Sequence, residues 1–142
     1  MKLVPAYSAR LIGFLLLMTV GGGLAQAQVP EEVIEAIRAA VDAADAEALS
    51  NLGGGRLEVG LFGAARLYSR SQARHVLGEF FRQFPPARLS IREAVSTEHA
   101  WFAASDYHRA EGRGPFRLYL RIRRDGDRWV LREFVVLRAE GA

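Results

Sequence analysis

The chain has no cysteine. That excludes a disulfide framework, a thiolate metal site and a lipid-modified cysteine at a processed N-terminus. Lysine is almost as scarce, occurring once, at Lys2. Proline is limited to 5 residues and methionine to 2 among 142, with glycine at 14, so collagen-like and low-complexity classes are excluded too. With 50% hydrophobic and 25% charged residues, the composition is that of one ordinary globular domain.

A long hydrophobic run is also missing. The apolar stretch from Leu11 to Val20 is followed by Gly21-Gly22-Gly23, so the segment falls short of the ~20 residues that cross a bilayer. Lys2 and Arg10 precede it, and Ala25-Gln26-Ala27 supplies small residues at the positions a signal peptidase reads. The first 27 residues therefore read as a secretory signal cleaved between Ala27 and Gln28. An exported, periplasmic or secreted chain follows, with no stable membrane span after cleavage.

Removing those 27 residues from 142 leaves a domain of 115, residues 28–142, and takes Lys2 and Arg10 from the 19 basic residues. The remaining 17 are all arginine and face 16 acidic groups, so the mature domain is nearly neutral. Neutrality and export both argue against a nucleic-acid partner, despite the high pI of the whole chain.

Pro30 suits a helix start, and Glu31, Glu32 and Glu35 complement the positive end of the helix that follows. Val33, Ile37, Ala40 and Val41 form its apolar stripe. Asp45 caps a short second helix that Gly53-Gly54-Gly55 breaks, and two short strands follow, through Leu57–Leu61 and Leu67–Tyr68. Ser69 and Gln72 form a capping box for a longer helix. Ala73, Val76, Leu77, Phe80, Phe81 and Phe84 then recur at helical spacing until Pro85-Pro86.

Beyond Ala87 the period changes to two, predicting strands over about 88–97, 100–110, 115–124 and 128–138. Helices segregated from a meander predict an α+β domain, with helices on one face of a single curved antiparallel sheet. Strict alternation puts Trp101, Ser105, Tyr107, Leu118, Leu131, Glu133, Val135 and Leu137 on the face that meets the helices. Arg117, Tyr119, Arg121, Arg132, Phe134 and Val136 fall on the other.

Two candidate sites follow. Glu133 on an apolar face must be paired, hydrogen-bonded or protonated. In the expected register it shares a row with Tyr107, near Ser105, Arg109 and Trp101, as a candidate ligand pocket. The structural explanation, which is favoured, is a strand-end glutamate paired with Arg109 or another arginine, with no ligand. The opposite face, with Arg117, Tyr119, Arg121, Arg132 and Phe134, is a candidate interface for a homodimer or an envelope protein. The alternative to a binding domain is an isomerase- or cyclase-type enzyme, with Glu133 as general base and Tyr107 donating to a developing oxyanion.

The histidines lack ligand-spaced neighbours, so no metal site is expected. No Gly-x-Ser-x-Gly element or phosphate loop occurs, and no cofactor is implied.

Tyr68-Ser69-Arg70-Ser71-Gln72-Ala73, with Val76-Leu77, Phe80-Phe81, Pro85-Pro86, Phe116-Arg117-Leu118-Tyr119 and the last strand, resembles a family of small exported bacterial proteins, domain-of-unknown-function family 4783. The resemblance spans roughly residues 29–138. It implies the cone-shaped fold of the nuclear transport factor two-like superfamily, which holds isomerase- and cyclase-like enzymes beside many non-catalytic members. It implies no specific activity for this chain. Arg92-Glu93-Ala94 departs from the His and Gly pattern expected of the family there.

Cleavage at the expected site is checked by N-terminal sequencing of exported chain: it should begin at Gln28, and a mature product retaining Leu11–Val20 would refute it.

Overall fold

The computed structural model describes residues 28–139. Residues 1–27, expected to be a secretory signal, lie outside these described residues. Three helices, α1 (Glu31–Asp42), α2 (Ala46–Leu52) and α3 (Arg70–Gln83), lie on one face of a six-stranded sheet. Its strands are β1 (Arg56–Leu61), β2 (Arg66–Ser69), β3 (Pro86–Ser96), β4 (Ala100–Arg109), β5 (Phe116–Asp125) and β6 (Arg128–Arg138). Their order is β2-β1-β6-β5-β4-β3. The fold is α+β, and the sheet is antiparallel except where β1 lies parallel to β6. That parallel pairing closes one end of the chain onto the other, and no hairpin rule foresees it.

Local chemistry explains the helix boundaries. The Asp45 carboxylate accepts from the Ala48 N–H at 3.0 Å and opens α2. Ser69 and Gln72 form the expected reciprocal box at the start of α3. Asp42, at the end of α1, accepts from the Leu89 N–H at 2.7 Å, which ties α1 to the edge strand β3 and occupies a donor that strand would leave open. Between β5 and β6, Gly126 takes φ 61° in a two-residue turn closed by Asp125 opposite Arg128.

Two registers differ from expectation. Tyr107 pairs with Phe116, not Leu118; the shift is two residues and leaves the faces unchanged. The β5–β6 ladder differs more. Ile122 pairs with Leu131 and Arg121 with Glu133, which leaves Arg132 as an extra residue on β6. This bulge inverts the alternation downstream: Leu131 points inward, but so do Phe134 and Val136, all at 0% exposure. Glu133, Val135 and Leu137, expected inside, join the outer face opposite Arg121, Tyr119 and Arg117.

The interior of the cone is filled with side chains. Phe80 lies with its ring centroid 5.2 Å from that of Tyr107 and stands edge-on to Phe134. Phe116 contacts Phe62 and Phe84 edge-on at 4.8 and 5.1 Å. Ile37 and Val41 of α1 and Leu77 of α3 are buried in the same core as Leu118, Leu120 and Ile122 of β5.

Because Phe134 is enclosed, Phe134→Ala should cost about 3–5 kcal/mol in urea unfolding. Phe102→Ala, one step outside, should stay below about 1 kcal/mol. Equal costs would contradict the bulged register.

Candidate functional site

The sheet that encloses the core has a second face that no helix among the described residues covers. On it, Val95 pairs with Phe102, Ala104 with Tyr119, Tyr119 with Val135, and Arg117 with Leu137. Diagonal neighbours across these ladders form an apolar stripe of Val95, Phe102, Tyr119 and Leu137, which are 42, 45, 45 and 40% exposed.

Charge flanks the stripe on both sides. Arg121 meets Glu133 at 3.0 Å. Asp106 lies between Arg92 at 3.5 Å and Arg117 at 3.7 Å, and Arg132 reaches Asp125 at 3.3 Å. The Nε of Arg121 is buried with no hydrogen-bond partner among the described residues. Burial pushes the Glu133 carboxyl above its usual range; Arg121 pulls it back, and Glu58, its neighbour across the β1–β6 pairing, adds to the rise.

Of the expected interface residues, Arg117, Tyr119, Arg121 and Arg132 lie on or beside this face, and Phe134 does not. Its burial removes it, a correction that follows from the bulge at Arg132. Phe102 takes its place. The sequence did carry that signal, since Phe102 shares strand parity with Asp106 and His108.

The expected ligand pocket does not assemble. Trp101, Ser105 and Tyr107 do share the inner face and are buried, and the hydroxyls of Ser105 and Tyr107 are already engaged. Ser105 donates to the Leu118 carbonyl at 2.7 Å. The Tyr107 hydroxyl donates to the carbonyl of Phe84 at the end of α3, and burial pushes its phenol well above the usual range. Arg109 lies 4.2 Å over the Phe116 ring and donates to the Gly114 carbonyl at 2.6 Å. Glu133 is on the other side of the sheet, and the arginine it pairs with is Arg121. The acid–base pair of Glu133 with Tyr107 is therefore corrected: an inward tyrosine and an outward glutamate cannot meet one substrate. No group of three or more metal-ligating side chains occurs among the described residues.

The raised Glu133 carboxyl predicts a pH dependence. The folded state keeps its proton at pH values where the unfolded chain has lost it, so stability falls as pH rises from about 4.3 through the higher folded value. Denaturant titrations from pH 4 upward should show Glu133→Gln gaining on the native chain as pH rises. A difference that is flat, or that shrinks with pH, would show that Arg121 dominates instead.

With this geometry in hand, the chain can be set beside known proteins. A model of the family described as "Domain of unknown function (DUF4783)" matches residues 34–136. Among solved structures, a DUF4783 family protein from Bacteroides ovatus ATCC 8483 superposes with a TM-score of 0.68 at 13% identity, covering 82% of this chain and 99% of that one. A second, from Bacteroides fragilis YCH46, gives 0.65 at 14% identity, over 78% and 99%. A putative dehydratase from the NTF2-like family of Streptomyces avermitilis gives 0.53 at 14% identity, over 75% and 91%. No curated protein matches in sequence. Among the described residues no helix is long and apolar enough to cross a membrane. The match across most of the described residues, on a cone-shaped NTF2-like fold, shows that the chain belongs to the DUF4783 family.

Proposed function

We propose that the chain is an exported, non-catalytic binding domain that pairs with a second copy of itself through the outer sheet face. The observation that carries this is the diagonal stripe of Val95, Phe102, Tyr119 and Leu137, laid across a sheet face with no helix over it. Stripes of this kind on otherwise charged surfaces mark contact sites. Phenylalanine, tyrosine and arginine are the residue types that anchor such contacts.

A second copy suits the chemistry of the surround. Arg92, Arg117, Arg121 and Arg132 stand beside Asp106, Asp125 and Glu133, so a two-fold axis through the stripe lets arginines of one protomer face carboxylates of the other. Two such sheets stack face to face about 10 Å apart, near enough for Phe102 and Tyr119 to interleave. The filled interior supports a binding role over a catalytic one, because Tyr107 and Ser105 already spend their hydrogen bonds on backbone carbonyls. The Lys2–Ala27 leader pattern supports export, and with it pairing outside the cytoplasm.

Sedimentation of the mature domain tests the pairing. At high micromolar concentration it should run at twice the chain mass, and Tyr119→Glu should run at the single mass with an unchanged circular dichroism spectrum. A native chain that stays single refutes self-pairing and leaves the face to an envelope protein.

A further inference from the structure

A groove of about 480 Å³ opens at one end of the sheet, where α3 passes the last residues of β1 and β6. Its walls are Leu61, Phe62, Val76, Phe80 and Phe84, and Arg138 stands at its side. Its size falls within the range of small-molecule sites, and its lining is mostly apolar, with His75, Gln83 and the oppositely charged Glu79 and Arg138 among it.

Two features set the groove apart from an ordinary crease. Phe62 holds a left-handed backbone at φ 62°, a conformation that a bulky residue rarely takes and that concentrates at binding and catalytic positions. Its N–H donates to the Val136 carbonyl at 2.9 Å, and its ring meets those of Phe80, Phe84 and Phe116. This turn thus plants an aromatic wall at the mouth of the cone.

The second feature is Arg138. Its guanidinium lies 4.7 Å over the Phe62 ring and 5.9 Å from that of Phe116, with no carboxylate partner among the described residues. Glu79, the acid lining the same groove, is held by Arg82 on its own helix. Stacking on a ring occupies the face of a guanidinium and leaves its N–H edge open for a two-oxygen acceptor. Arg109, 4.2 Å over the Phe116 ring, adds a second positive charge to this end of the sheet, and its Nε is buried with no hydrogen-bond partner among the described residues.

We propose that this groove is a binding site for an aromatic monocarboxylate, whose flat body lies against Phe62 and Phe84 and whose carboxylate meets the edge of Arg138. One guanidinium fork matches the two oxygens of a carboxylate, and the apolar walls suit a ligand carrying a single charge. The site is at the end of the sheet, apart from the outer face, and stands independently of self-pairing.

2-Naphthoate is the probe, followed by amide chemical shifts on the mature domain. Shifts should centre on Phe62, Phe84 and Arg138, with affinity at least about tenfold above that of the neutral 2-naphthalenemethanol. Arg138→Gln should bring the two probes to within about twofold of each other. Absent or equal binding of the two probes, shifts centred on Tyr119 and Phe102, or a preference retained in Arg138→Gln overturns the proposal. So does tighter binding of 2-naphthyl phosphate, which would make the site one for phosphate esters.

Discussion

A carboxylate without partners cannot be left in an apolar interior, and β6 is built around that constraint. Under strict alternation, Leu131 would be followed inward by Glu133, and Phe134 would lie in water. One extra residue at Arg132 reverses both placements. Glu133 reaches Arg121, and Phe134 and Val136 enter the core. On its other edge β6 pairs with β1, where Glu58 lies beside Glu133. The identity of both sheet faces over the last six residues of β6, Glu133 to Arg138, depends on that extra residue.

Filling follows from facing. With Phe134 inside, the space between α3 and the sheet closes around Phe80, Tyr107 and Phe116. The polar groups that remain there are Ser105 and Tyr107, and both are turned to backbone carbonyls. Tyr107 takes up a carbonyl that the end of α3 would otherwise leave without a donor. Related folds can hold enzymes, but fold does not bring chemistry with it: a proton acceptor has to face its substrate, and Glu133 faces away. What is left for recognition lies on the periphery, on the open sheet face and at the aromatic end of the cone.

These two surfaces differ in kind. The sheet face is broad, with aromatic residues among paired charges, and suits a partner of comparable area. The end groove is narrow, with a stacked arginine above rings, and suits a small anion with a flat body. Phe116 links them to one core, since its strand carries Tyr119 outward while its own ring packs inward beneath Arg109.

Much of this was legible in the residue pattern, because it depends on neighbours close in sequence. Asp45 and Ser69 cap helices through contacts three residues long, the Phe-rich stripe of α3 follows from 3.6-residue periodicity, and the exposed parity of Arg117, Tyr119 and Arg121 follows from period two. The α+β class came from the same local signals. The adjacent polar pair Arg132-Glu133 between apolar runs was the only local trace of the bulge. Alternation cannot show that a strand has slipped by one; that takes the strands on either side. Three features rest on residues far apart in the chain: the parallel seating of β1 on β6, the separation of Glu133 from Tyr107, and the meeting of Phe62 with Arg138. The elements and their apolar sides could be read from residue order, since they are short-range preferences of the backbone and of burial. Which side chains share a surface is set by pairing between distant strands, because one extra residue in one strand reverses every side chain beyond it.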